Sequence, residues 1–527
     1  MTQLSNDPAL SPMRARGAGP LRGIGILDGS SSSSSSKNRV IVIGGGFGGL
    51  ASAIRLQAAG HAVTLVEARE RLGGRAYQLK AEGFTFDMGP SLITAPHLLE
   101  DLWRAAGRRL EEDVHLMPLS PFYRICFRDG RHFDYWGTPA EDEAEIAKFD
   151  ARDVAGYRAF LAATQRIYER AFVDLADQPF LTLGSFLRVA PELVRLRAQR
   201  SVYAYVSHYF RNPYLRMVFS FHPLFIGGNP FRASAIYSVV PYLERLGGVH
   251  YTPGGMYTLV TAMEKLLRDL GGEIRCSAPV EQILVKDGRT TGVRLESGAT
   301  LQADTVVANS DVASTYLKLL PASQSARNVQ RYHYSMSCFL LYLGLNRQYP
   351  HLRHHTIMMS DDYRKLIHEI FDGQGLPDDM ALYLHTPSRT DASMAPPGGE
   401  SLYVLVPVPN LAHGIDWTRE AGPFRQKILS FLEQHAGLEG LSQSIVTEHM
   451  LTPLDFAGEM RSHLGAAFSI EPTLFQSAYF RPHNRSSQVG GLYFVGAGTH
   501  PGAGIPGVLL SANITSRLVH ADLVRSA

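Results

Sequence analysis

Three glycines and one acid in the first part of the chain have the types and spacing to do chemistry. Gly44, Gly46 and Gly49 form G-x-G-x-x-G, and Glu67 follows at roughly the 20-residue distance at which an acid grips a ribose 2′-hydroxyl. Gly44 allows a tight turn, Gly46 lets backbone approach a pyrophosphate, and Gly49 lets a helix pack close on a strand. The phosphates then face free N–H groups and the positive end of a helix dipole. A glycine-rich turn alone is weak evidence. Here the β-branched run Val40-Ile41-Val42-Ile43 precedes it and a helical apolar pattern from Leu50 to Ala58 follows. A second strand, Ala62 to Val66, then leads into Glu67, so the stretch reads as a dinucleotide site rather than a merely tight turn.

The next residues narrow the ligand. A nicotinamide-binding domain would run on into another helix, whereas this chain continues as Arg71-Leu72-Gly73-Gly74-Arg75-Ala76. A Gly-Gly turn bracketed by arginines supplies more N–H donors and a guanidinium fork, suited to the diphosphate and flavin end of FAD. A second constellation stands near the C-terminus. The apolar strand Leu492 to Val495 runs into a turn carrying Gly496, Gly498, Gly502, Gly504 and Gly507, then into a helix from Val508 to Leu523. Two glycine-rich strand–helix turns at opposite ends of the chain imply one long ligand held at both extremities. His500 sits inside the second turn, where it either supports proton removal or caps the loop.

The elements that must position these groups follow from pattern. Phe122–Phe127 and Arg131–Tyr135, joined at Asp129-Gly130, read as a hairpin. Residues 139–218 read as mainly helical, with Pro191 dividing the stretch from Phe186 to Tyr205 into two helices. Glu273 to Ile283 reads as one strand kinked at Pro279, and Ala303–Asn309 as a buried parallel strand. Residues 333–345 and 401–409 are further strands. The fold class is therefore α/β: a Rossmann-type FAD-binding lobe, a mixed-sheet substrate lobe and an additional helical region. The FAD-binding lobe is assigned to 38–112, 250–312 and 478–527, and the substrate lobe to 113–138 and 313–477. Residues 139–249 form the helical, membrane-facing region. Residues 1–37, rich in Gly, Pro and Ser, read as a disordered leader or a wrongly assigned start, with Met13 the alternative.

Composition bounds the function. With 527 residues the chain exceeds one hydrophobic core, so two or more lobes are expected. A formal net charge of +2 gives no bulk attraction to nucleic acid. Cys126, Cys276 and Cys338 make neither a disulfide framework nor a metal spacing, and no metal is assigned. The window Phe186–Tyr205 holds Arg188, Arg195, Arg197 and Arg200 against one acid, Glu192. Such a basic amphipathic segment either lies on an anionic lipid surface or is an ordinary solvated face. The uncharged aromatic run Met217–Phe231 suits the wall of an apolar cavity, or a plain core.

The glycine motifs, Phe84-Thr85-Phe86-Asp87-Met88-Gly89-Pro90, Gly227-Gly228-Asn229-Pro230-Phe231, Arg481-Pro482-His483-Asn484-Arg485 and His500-Pro501-Gly502 together resemble the bacterial-type phytoene desaturases. These are carotenoid desaturases of the flavin amine oxidase superfamily, and the resemblance runs from Arg39 to the end of the chain. It implies FAD as sole cofactor. It also implies phytoene and partly desaturated carotenes as substrates, lycopene or neurosporene as product, and a quinone or oxygen as electron acceptor. A peripheral position on the cytoplasmic face of a membrane goes with it. By position it places Gly44, Gly46 and Gly49 on the pyrophosphate and Glu67 on the adenosine ribose. Arg75 falls at the diphosphate–flavin end, Val280 beside the adenine, and Gly498, Gly504 and Gly507 at the isoalloxazine. Arg188 takes a position associated with a polar group near the substrate, although Ser185 offers it no carboxylate partner; a surface cation is the other reading. Other enzymes of the same fold, amine oxidases among them, and non-catalytic escort proteins are the competing classes. Intact Glu67 and Gly-Gly-Arg segments favour a cofactor-bound enzyme. A hydrocarbon substrate starts in lipid as apolar as its pocket, so efficient turnover requires the pocket to open at a bilayer.

Overall fold

The computed structural model describes residues 37–526. The leader read at residues 1–37 lies, but for Lys37, outside the described residues. A five-stranded, all-parallel sheet carries the strands Leu492–Phe494, Thr305–Ala308, Arg39–Ile43, Ala62–Val66 and Glu273–Arg275 in that spatial order. Arg39–Ile43 is β-branched, and all but its first residue is buried, as expected of a strand covered on both faces. Parallel neighbours require crossovers, so their C-terminal ends gather on one edge of the sheet. The helix Phe47–Ala58 leaves that edge and packs beside the C-terminal helix Ile505–Ser526 and the helix Tyr257–Asp269.

A seven-stranded mixed sheet runs Ile445–Leu451, Ser337–Leu345, Glu400–Val408, Leu382–His385, His355–Met358, Tyr123–Cys126, His132–Tyr135. Its pairs are antiparallel except that between His355–Met358 and Tyr123–Cys126. All nine residues of Ser337–Leu345 are buried. Phe339, Leu341, Leu343 and Leu345 pack with Trp417, Phe424 and Leu432 of the helix Trp417–His435, while Cys338, Leu340 and Tyr342 pack toward Phe84 and Phe86. That is the two-residue period of a strand sandwiched between layers. The hairpin strands Tyr123–Cys126 and His132–Tyr135 share an aromatic core with the helices of the 139–249 region.

Two expected elements differ. Glu273 to Ile283 is not one kinked strand: Glu273–Arg275 closes the parallel sheet, and Val280–Lys286 begins a separate three-stranded antiparallel sheet. Pro279 stands at the break, where it cannot donate to a ladder. Pro191 does not divide its helix, which runs unbroken from Leu183 to Arg195. The proline removes the donor for the Leu187 carbonyl, and both residues are exposed, where water replaces the lost bond. The chain leaves the helix later, at Arg197, whose φ is +60°.

Candidate active site

The two glycine-rich turns open into one cavity of about 850 Å³. At its first end the helix Phe47–Ala58 begins at Gly46, with no side-chain cap and no acid in its first turn. The amides of Phe47 and Gly48 at its start are thus available to an anion, that of Gly49 being taken by Asn309. Gly44 has φ +96°, which a side chain would oppose, and a Cβ on Gly49 would overlap the Gly44 carbonyl oxygen. Gly49 is therefore a packing residue beneath the turn, while Gly44 and Gly46 line the cavity. Backbone meets backbone at the neighbouring turn: a Cβ on Gly74 would stand 3.1 Å from the Gly46 Cα. Only glycine leaves a cradle here.

Glu67 ends its strand buried, Oε2 accepting from the Gly45 amide at 2.7 Å and Oε1 from the Arg69 amide at 3.0 Å. Those bonds hold the carboxylate at the cavity wall and leave each oxygen a further lone pair. Val280 and Ala278 line the same end. Arg75 lines the cavity, half-buried, donating from Nη2 to the Ser462 hydroxyl at 2.9 Å, while its Nε has no partner. Burial lowers its guanidinium from the usual arginine value, and the Asp311 carboxylate partly restores it.

At the second turn, Gly498, Gly504 and Gly507 line the cavity. What holds this turn is Arg481, which is fully buried and donates to four carbonyls. Nε reaches Thr499 at 3.2 Å, Nη1 reaches Gln476 at 3.1 Å, and Nη2 reaches Ile470 at 3.0 Å and Ala497 at 2.7 Å. Asn484 adds a bond from Nδ2 to the His500 carbonyl at 3.1 Å. Asn309 ties one turn to the other: its Oδ1 accepts from the Gly49 amide at 2.9 Å and its Nδ2 donates to the Val495 carbonyl at 3.1 Å.

His500 lines the cavity with neither ring nitrogen in a well-aligned hydrogen bond, the Gln178 backbone being nearest, and its ring stands edge-on to Phe180. Burial, with the Arg481 cation and His483 adding, pushes its pKa down to about 3. That makes His500 a neutral hydrogen-bonding group and a weak base near neutral pH, which favours the loop-capping alternative. Arg188 is corrected. It is exposed on the helix Leu183–Arg195 and lies outside the cavity lining, since Phe186 and Leu193 take the inward face. Arg197 of the basic face is half-buried.

Beyond the second turn the cavity is apolar, walled by Phe172, Phe221, Phe225, Ile236, Leu243, Ile357 and Met359. Among the described residues, Glu244 is the one charged side chain that the segment 139–249 contributes to this wall. It is 1% exposed, and its Oε2 accepts from the Tyr123 hydroxyl at 2.8 Å. The Tyr123 oxygen in turn lies 2.8 Å from His222 Nε2. With the tyrosine proton committed to Glu244, that imidazole nitrogen is the donor. Asn309, Arg481 and Glu244 carried no role in the sequence reading. Asn309 had a usable signal, since it follows a buried parallel strand at the edge where such sheets bind ligands; Glu244 had none.

The flavin containing amine oxidoreductase family model matches residues 47–520. A phytoene desaturase (lycopene-forming) from Pseudescherichia vulneris is 50% identical over 483 residues, 91% of this chain and 98% of that one. A phytoene desaturase (neurosporene-forming) from Rhodobacter capsulatus is 41% identical over 484 residues, 90% of this chain and 92% of that one. Among solved structures, cyclohexylamine oxidase from Brevibacterium oxydans superposes with a TM-score of 0.60 at 16% identity, covering 93% of this chain and 100% of that one. That likeness speaks for the fold alone.

Proposed function

The chain belongs to the flavin containing amine oxidoreductase family, and we propose that its cavity holds FAD between the two glycine-rich turns with a carotene beyond it. It is an oxidoreductase that desaturates phytoene stepwise, toward lycopene or neurosporene. One observation carries the reading: a dinucleotide cradle and an apolar compartment are a single continuous cavity. The donor set fits FAD. The Phe47 and Gly48 amides suit the pyrophosphate, Glu67 the ribose, and the unpartnered Arg75 Nε the polar rim of a flavin. When bound, FAD supplies the hydride acceptor.

The chain's own residues do the rest. The aromatic and aliphatic wall excludes water and orients a hydrocarbon that offers no polar handle. Glu244 presents a carboxylate to that compartment, where cationic character on the substrate is stabilised and a proton is accepted.

The substrate reaches this compartment from lipid. Supporting this, the helix Leu183–Arg195 has no buried residue; Phe186 and Leu193 face the cavity, while Leu187 and Val194 are 57% and 60% exposed. Phe475 is 74% exposed and meets Phe480 edge to face, and Phe480 in turn packs against Phe186. At roughly 1 kcal/mol for each half-exposed apolar side chain entering lipid, this patch supports reversible, peripheral docking. Among the described residues no helix is long and apolar enough to cross a membrane. The enzyme then sits at the cytoplasmic face, passing electrons to a quinone or to oxygen.

Pigment analysis of a phytoene-accumulating host expressing the chain tests the activity; unchanged phytoene refutes it. For docking, Leu187→Asp combined with Val194→Asp should lower activity on liposomes with flavin content intact. Full liposome activity refutes that part. Anaerobic turnover with and without added quinone distinguishes the acceptors.

A further inference from the structure

Three histidines meet beneath the cavity, outside its lining, and nothing in the desaturation chemistry uses them. His355 opens the strand His355–Met358, and His385 ends the strand Leu382–His385; the two are directly opposed partners in the antiparallel register. Side chains two apart share a face of a strand. Ile357 and Tyr383 line the cavity, so His355 and His385 lie on that same side, just beyond its floor. His354 precedes the regular strand, and its ring centroid lies 4.5 Å from that of His355 and 4.9 Å from that of His385. One nitrogen from each of the three lies within 4.8 Å of one from each of the others, and all three residues are buried.

We propose that His354, His355 and His385 bind one divalent transition-metal ion, zinc in the first instance. The Nε2 atoms of His354 and His385 are 3.1 Å apart. Two nitrogens on a tetrahedral zinc at about 2.0–2.1 Å stand about 3.3 Å apart, so this pair already has the spacing of shared ligands. Outer hydrogen bonds aim the rings as metal-bound imidazoles are aimed. His354 Nδ1 lies 2.6 Å from the Thr390 hydroxyl, and His355 Nδ1 lies 2.7 Å from the Tyr383 hydroxyl, which bonds onward to Ser91. As Nδ1–H donors, both rings turn an Nε2 lone pair inward.

A second observation points to a ligand. His355 Nε2 is buried and has no partner. Without an ion, His354 and His385 share one proton between them and His355 Nε2 is left bare. Asp391, beside Thr390, brings a negative charge to the cluster's edge. It accepts from the Tyr251 hydroxyl at 3.1 Å, and the Tyr251 ring packs on His354 at 4.8 Å. The ion would clip two neighbouring strands and hold the Tyr383 hydroxyl in the cavity floor. The proposal is independent of the cavity's substrate.

The test uses the untagged, full-length flavoprotein grown with zinc and dialysed against metal-free buffer. Elemental analysis should find about one equivalent of zinc per chain, as a closed site retains it. After removal by a strong chelator, added cobalt(II) should give the visible bands of tetrahedral coordination beyond the flavin absorption. His385→Gln and His355→Gln should lose the metal, while His115→Ala, an exposed histidine, should keep it. Should the histidine variants fail to fold, Tyr383→Phe, which removes one outer hydrogen bond, should weaken retention about 10–100-fold. Wild-type protein that keeps no zinc and gives no cobalt bands overturns the proposal. So does zinc kept equally by His385→Gln, which marks an adventitious ion only.

Discussion

Asn309→Leu isolates what holds the two glycine-rich turns at a fixed separation. The wild-type amide accepts from the Gly49 N–H at 2.9 Å and donates to the Val495 carbonyl at 3.1 Å. A Cβ on Gly496 would stand 2.5 Å from Asn309 Nδ2, so the side chain is also a spacer between the turns. Leucine keeps the volume and removes both bonds. At about 1 kcal/mol net for each, a free variant that relaxes out of this arrangement must repay up to about 2 kcal/mol to re-form it around FAD. With 1.4 kcal/mol per tenfold, flavin affinity should fall about 30-fold. The assay is quenching of flavin fluorescence on titrating FAD into deflavinated protein. General loosening of the fold is controlled by Asn410→Leu. That side chain also makes buried bonds, donating to the Ser335 carbonyl at 2.8 Å and accepting from the Ala412 amide at 3.0 Å, but it lies outside the cavity lining. Asn410→Leu should cost stability without changing flavin affinity. Unaltered affinity in Asn309→Leu, or an equal loss in Asn410→Leu, refutes the reasoning.

Three further outcomes are expected. Glu244→Gln keeps the volume and removes the charge at the apolar end; turnover should fall about 100-fold or more with flavin affinity unchanged, and wild-type turnover would remove Glu244 from the reaction. Arg481→Met leaves four buried carbonyls without their donor, so denaturation should come earlier by about 3 kcal/mol or more, with flavin content falling, as measured by denaturant titration and absorbance. Asp87 sets a pH dependence. Burial pushes its carboxyl from 3.8 up to about 7, and the amides of Met256 and Tyr257 offset this only in part, since neither oxygen has a well-aligned donor. Between about pH 4 and pH 7 the folded state keeps a proton that the unfolded chain has released, so stability falls as pH rises across that window, by an amount on the order of 4 kcal/mol. Asp87→Asn should flatten that slope in denaturation measured across the pH range, and an unchanged slope would assign it to other groups.

The α/β class, the flavin family and the two glycine-rich turns were legible in the residues themselves, because each rests on a local requirement. Gly44 at φ +96° and Gly74 against the Gly46 backbone admit no side chain, and that need is written in the residue type. The hairpin through Asp129-Gly130 and the parallel strand before Asn309 were likewise readable from turn chemistry and apolar run. What the pattern misjudged were choices between neighbours of similar local character. Pro191 ends a helix only where the lost bond is buried, and Pro279 separates two strands rather than bending one.

Side-chain facing was decided by the tertiary structure alone. Arg188 and Glu244 both sit on amphipathic helices, and only the packing of those helices turns the arginine to the outside and the carboxylate into the cavity. Asn309 bonds to Gly49 and Val495, far from it in the chain, and His354, His355 and His385 meet because two strands pair across an intervening helix. Backbone demands are local and leave a mark in the residue type. The convergence of side chains depends on long-range contacts that no short window of sequence contains.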